Sequence, residues 1–168
     1  MLDIGMEIID WNPEQDQFLK TKERELHEKL HAKKHQEFHA EAQIFNDKRR
    51  FRIDALEKGL AKIGQQVQGK VLEIGAGDGW CSAYLLKAKK IDELYAMECN
   101  WPAVKELIPS TLRTVGVDTK KVKLVHGSFN AIKMKDHFDF VIAMGALHHS
   151  ANLIQTFRQV IEALKPGG

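Results

Sequence analysis

The chain has 168 residues, enough for one domain with its own core and one appended element but too few for two independent domains. Hydrophobic residues make up 43% and charged residues 29%, which excludes a largely disordered chain, and a formal net charge of +2 gives no global pull toward nucleic acid or an anionic membrane. Residues Met1 to Asp10 carry no basic run ahead of an apolar stretch, no segment approaches the roughly 20 apolar residues of a membrane span, and Cys81 and Cys99 form no paired metal-binding spacing, so the expected setting is the reducing cytoplasm.

In chain order, Leu2, Ile4, Met6 and Ile8 alternate with other residues, the period of a short strand or extended arm. Asn12-Pro13 is a helix start, and from there to about Asn46 the sequence is dense in charge and sparse in apolar residues, a mostly solvated helix. His27, His31, His35 and His39 recur along it every fourth residue. They are read as a solvated face, with a substrate-facing lid as the alternative; no H-E-x-x-H or cysteine pair accompanies them, so no metal site is expected. Ile53, Leu56, Leu60 and Ile63 then predict a second helix over 47–64 that docks on a core.

Lys70 to Ile74 predicts a strand ended by glycines, and from here helices and strands alternate. Cys81, Tyr84, Leu85 and Ala88 fit a helix, Leu94 to Cys99 a strand, and Val104 to Val115 a helix bent at Pro109. Val122 to His126 and Phe138 to Met144 are two further strands, and Leu153 to Leu164 a last helix. Such alternation implies parallel pairing and an α/β sheet covered on both faces. The expected organisation is an N-terminal arm and helical extension over 1–66 and an α/β domain over 67–168.

The strongest chemical signal is Glu73-Ile74-Gly75-Ala76-Gly77-Asp78-Gly79, between the first of these strands and the helix after it. Glycines let backbone approach a ligand closely, and a helix start offers N–H groups to it. A dinucleotide site of the G-x-G-x-x-G type needs a small third residue where the helix packs on the strand; here that position is Trp80. The spacing E-x-G-x-G-x-G resembles instead the first motif of class I S-adenosylmethionine-dependent methyltransferases. The family's order continues in Glu98 at the end of the second strand, in Gly127-Ser128-Phe129 after the third, in Phe138-Asp139-Phe140-Val141 leading to Leu147-His148-His149, and in Leu164-Lys165-Pro166-Gly167-Gly168.

That resemblance, which does not reach residues 1 to about 50, implies a Rossmann-like sheet of strand order 3-2-1-4 with an N-terminal helical extension and further strands beyond Gly168. It implies S-adenosyl-L-methionine as cofactor, held by Glu73, Gly75, Ala76, Gly77 and Gly79, by Glu98 on the ribose hydroxyls with Cys99 beside it, and by Ser128, Phe129 and Met144. Ser128 departs from the Gly-Asp that many members use on the adenine amino group, and a neutral hydroxyl is the weaker acceptor. Ala143-Met144-Gly145-Ala146 stands where enzymes acting on DNA bases or protein glutamine typically carry Asn or Asp before Pro-Pro-Tyr or Pro-Pro-Phe. The expected reaction is therefore methyl transfer to O, N or C of a small-molecule acceptor, with a catalytically silent cofactor-binding module as the alternative. His148 and His149 lie on the loop that would face the methyl group, where either can act as a base or simply pack and cap the next helix. Nucleic acid and membrane are not expected partners; pairing of two copies through the apolar edge strand around Phe138 to Ile142 is.

Overall fold

The computed structural model describes residues 5–11 and 44–168. The His27, His31, His35 and His39 series and nearly all of the helix expected from Asn12 lie outside them. Five strands form one sheet in the order β1-β4-β3-β2-β5, where β1 is Glu7–Asp10, β2 Gln68–Ile74, β3 Lys90–Glu98, β4 Val122–His126 and β5 Phe140–Ile142. All four pairings are parallel. The helices are α1 (Asp47–Lys62), α2 (Trp80–Ala88), α3 (Ile108–Val115) and α4 (Leu153–Ala163).

The expected order 3-2-1-4 recurs as β4-β3-β2-β5, with one correction. The alternating N-terminal residues enter the sheet as a fifth strand, with Glu7 to Asp10 in register with Lys123 to His126 at the outer edge. Their apolar side chains are shared between the two faces: Ile8 packs with one core cluster and Ile9 with the other. An arm of this composition gains more by burying both sides against β4 than by lying free in water.

Strand side chains alternate, so each strand feeds two cores. Val71, Leu94, Ala96 and Leu124 point to one face, under Cys81, Leu85, Val104, Ile108 and Leu112 from α2, α3 and the turn before it. From α1, Ile53 and Leu60 pack against this cluster, whereas Ile63, expected on the docking face, follows the end of the helix and is 69% exposed. Leu72, Ile74, Tyr95, Met97 and Val125 point to the other face, where Trp11, Phe138 and Ala163 meet them.

Two local differences from expectation have clear causes. Pro109 brings no N–H to the ladder, and the chain before it winds as a π-helical turn over Ala103–Leu107 before α3 begins, rather than as one bent helix. The last strand is shorter than Phe138 to Met144 because its start is drawn away: the N–H groups of His137 and Phe138 both donate to the Ala163 carbonyl, and Phe138 bridges Leu164. Asp139 completes this junction. Its carboxylate accepts from the Lys70 N–H at 2.8 Å and from Lys165 Nζ at 2.6 Å, joining β2 to the turn after α4. The Lys165 and Lys70 bonds hold its carboxyl below the usual range.

Candidate functional site

In an open parallel sheet the loops at the carboxyl ends of the strands converge on one edge, and the crevice opens where the strand order reverses. Here that edge carries the turns after β2, β3, β4 and β5, and with them the residues singled out in the sequence. A larger concavity of about 890 Å³ lies at the opposite end of the strands, among Gln68, Lys90, Asp92, Asp139 and Lys165, away from these loops.

The turn after β2 is built by left-handed glycines. Gly75, Gly77 and Gly79 have φ of +72°, +59° and +82°. A methyl on Gly75 would overlap the Ala146 side chain and stand 3.1 Å from Cζ of Phe129, so this glycine lets three loops meet at one point. The N–H groups of Gly75 and Ala76 both donate to the Met97 carbonyl at 2.9 Å, and that of Gly79 to the Ala76 carbonyl. These donors are thus paired within the protein, two of them with β3.

Glu98 gathers the next segment. Its Oε2 accepts from the Gly77 N–H at 2.9 Å, and its Oε1 from the Cys99 N–H at 2.9 Å and the Asn100 N–H at 3.1 Å. The Cys99 thiol lies 3.3 Å from the same Oε1. One carboxylate thus spans the glycine turn and the β3 loop, with remaining acceptor capacity on Oε2.

Glu73 sits on the neighbouring strand β2, 1% exposed, and accepts from the Ser82 hydroxyl. Burial pushes its carboxyl up to about 7 against the opposing bonds from Ser82 and Cys81, and the nearby Asp78 and Glu98 push it the same way. Burial, with Glu73 as neighbour, also raises the Cys81 thiol.

Ser128 and Phe129 follow β4 and are both buried. The Ser128 hydroxyl already accepts from the Asn130 N–H at 3.2 Å. Asn130 Oδ1 accepts from Thr156 of α4, whose hydroxyl is 2.7 Å from that of Ser150, so the loops after β4 and β5 are tied together. A crevice between them is lined by Cys99, Ser128, Phe129, His149 and Ser150. His148 and His149 occupy a short 3-10 turn, Leu147–His149, with ring centroids 3.8 Å apart. His148 is exposed, His149 borders the crevice, and Met144 packs partly against the first core cluster.

Other residues at this edge gave no signal in the sequence. Arg49 of α1 reaches Asp78 of the glycine turn at 2.5 Å, with its guanidinium 5.6 Å from the Trp80 ring centroid. One turn along α1, the Arg52 guanidinium stands 3.2 Å from where a side chain on Gly145 would begin. Asp78 Oδ1 and Asn100 Nδ2 are buried and have no hydrogen-bond partner among the described residues. An orphan acceptor in the glycine turn and an orphan donor beside Glu98 fit a ligand carrying both kinds of group, as an adenosyl amino acid does.

The family model described as a methyltransferase domain matches residues 45–168, which takes in all four of these loops. The chain belongs to the methyltransferase-domain family. It is similar to an uncharacterized methyltransferase, YdaC of Bacillus subtilis, at 29% identity over 110 residues, 65% of this chain and 58% of that one. Among solved structures, a candidate S-adenosylmethionine-dependent methyltransferase of Methanococcus maripaludis superimposes with a TM-score of 0.62 at 19% identity, over 86% of this chain and 60% of that one. The YcgJ protein of Bacillus subtilis does so with a TM-score of 0.59 at 22% identity, over 68% and 47%. This methyltransferase domain therefore spans between about half and three fifths of the length of these relatives. No helix among the described residues is long and apolar enough to cross a membrane.

Proposed function

We propose that the chain binds S-adenosyl-L-methionine at the carboxyl edge of its sheet and transfers the methyl group to O, N or C of a small-molecule acceptor. The observation that carries the cofactor reading is the Glu98 carboxylate, placed by β3 against the Gly77 N–H so that one side chain serves both the glycine turn and the loop after β3. In this reading Glu98 accepts from the ribose hydroxyls, and Gly75, Ala76, Gly77 and Gly79 let the rest of the molecule lie close to backbone. Ser128, Phe129 and Cys99 line the adenine side, and Glu73 and Met144 border the amino-acid side.

The cofactor's sulfonium supplies an activated methyl group, so the protein's task is chiefly to position it and to keep water out. His149, at the rim of the crevice, and His148 beside it are the bases available to an acceptor that must lose a proton. Ala143-Met144-Gly145-Ala146, in place of Asn or Asp before Pro-Pro-Tyr or Pro-Pro-Phe, supports a small acceptor over a DNA base or a protein glutamine.

The test is a thermal melt with S-adenosylmethionine, S-adenosylhomocysteine and NAD. Either sulfur nucleoside at about 100 times its dissociation constant should add roughly 2.7 kcal/mol, and NAD should add nothing. A melt raised by NAD alone would overturn the reading. Formation of S-adenosylhomocysteine that depends on an added acceptor separates an enzyme from a silent binding module.

A further inference from the structure

We propose that the N-terminal arm is a working part of the cofactor site, acting through Asp10 and His126 as positioning residues for its adenosine end; this rests on the S-adenosylmethionine reading above. His126 ends β4 and is 6% exposed. Its Nδ1 lies 3.1 Å from Asp10 Oδ1 and its Nε2 lies 3.2 Å from the Cys99 carbonyl oxygen. Both partners are acceptors, so a neutral ring donates to one of them, according to its tautomer, with the other nitrogen in contact with the second, and only the imidazolium donates to both. The Trp101 ring closes over it at 4.5 Å between centroids.

The backbone fastens the same place from the other side. The Trp11 N–H donates to the His126 carbonyl at 2.7 Å, and the next residue, Gly127, donates to the Glu98 carbonyl at 3.1 Å. Trp11 is buried, and its Cβ stands 3.1 Å from where a side chain on Gly127 would begin. A continuous series of bonds thus runs from Asp10 through His126 to the Cys99 carbonyl, while the Cys99 N–H holds Glu98 Oε1. Cys99 and Asn100 cannot swing outward without breaking the Nε2 bond, and their N–H groups aim the Glu98 carboxylate. The sheet therefore needs its fifth strand for more than edge protection: β1 delivers the acceptor that orients the ring.

Asp10 is 61% exposed at its side chain, so replacing it leaves the core intact. Binding of S-adenosylhomocysteine and of adenosine to the full chain is measured by calorimetry for wild type, Asp10→Ala, Asp10→Asn and His126→Gln. Asp10→Ala and His126→Gln should weaken both ligands to a similar extent, about five- to tenfold, because the relay serves the part the two ligands share. Asp10→Asn keeps an acceptor oxygen and should bind within about twofold of wild type. Unchanged affinity in Asp10→Ala, or equal loss in Asp10→Ala and Asp10→Asn, would overturn the relay while leaving the cofactor reading intact. A wild type that binds neither ligand would overturn the cofactor reading, and the relay with it.

Discussion

Arg49 of α1 and Asp78 of the glycine turn form an ion pair 2.5 Å long, with the two side chains 12% and 4% exposed. The pair ties α1 to the glycine turn after β2, and a second Arg49 nitrogen donates to the Ile44 carbonyl at 2.9 Å. Removing Arg49 would leave Asp78 buried with neither oxygen paired among the described residues, where Oδ1 has no partner to begin with. Arg49→Ala should therefore cost about 3 kcal/mol in urea unfolding, more than Asp78→Ala, which leaves Arg49 its carbonyl and the face of Trp80. A loss below about 1 kcal/mol for Arg49→Ala would show that the pair does not hold the turn.

Glu73 gives the protein a pH signature. Its carboxyl is raised in the fold to about 7, so the folded state holds a proton that the unfolded chain has released. The stability this contributes is complete below the ordinary carboxyl range and is lost as pH rises toward and through 7. Glu73→Gln cannot ionise yet keeps an acceptor for Ser82, so the stability gap between variant and wild type should widen in the variant's favour from pH 5 to pH 8, by up to roughly 3 kcal/mol. Melts of both proteins across that range decide it, and parallel curves would mean that Glu73 titrates normally.

Ligand affinity should depend on Glu98 and not on Glu93 of the same strand. Glu93 lies toward the other end of β3, 2.9 Å from Lys123 and 3.5 Å from Lys70. Under the proposed function, Glu98→Ala loses the charge-assisted hydrogen bonding from its Oε2 to the ribose, and affinity for S-adenosylhomocysteine should fall by about one order of magnitude or more. The free protein should also lose about 1–3 kcal/mol, because the Gly77, Cys99 and Asn100 N–H groups lose their acceptor. Calorimetry that finds equal affinities for Glu98→Ala and Glu93→Ala would remove the ribose assignment.

Leu153, Ile154, Phe157 and Ile161 leave one side of α4 exposed and apolar. Surfaces of this kind associate. The chain should show concentration-dependent self-association in light scattering, and Ile154→Lys combined with Ile161→Lys should reduce it without lowering the melting temperature by more than a degree or two. A monomer at high concentration in the unaltered chain would count against this face as a contact between copies.

Much of the sheet was legible because its strands are short apolar runs bounded by glycine or charge, and because helical spacing between them dictates parallel crossovers. The glycine turn and Glu98 were legible for a related reason: φ above zero and a carboxylate at a strand end are local demands that residue type alone announces. Asp139 and Lys165, seen as motif fragments, turn out to be bonded to each other. What escaped were partnerships between distant residues. Nothing near Arg49 points to Asp78, and nothing near His126 points to Asp10, since each pair exists only after the sheet has closed. The alternating arm was visible as an extended segment, but its neighbour was not. Phe138 read as strand, yet the Ala163 carbonyl outcompetes the sheet for its N–H.

Asp10 and His126 are 116 residues apart in the chain and adjacent in the sheet. During synthesis the arm is made well before its pairing strand, whose Lys123 lies opposite Glu7 in the sheet. Until that strand is made its alternating apolar residues have no partner strand in their own chain, and closing so long a loop is among the slowest contacts a small domain makes. The edge of the sheet, and with it the orientation of the His126 ring, thus waits on the longest-range strand pairing among the described residues. A protein arrested before Val122 should remain sensitive to proteases in the Glu7–Asp10 arm, and that sensitivity should fall once His126 has emerged from the exit tunnel.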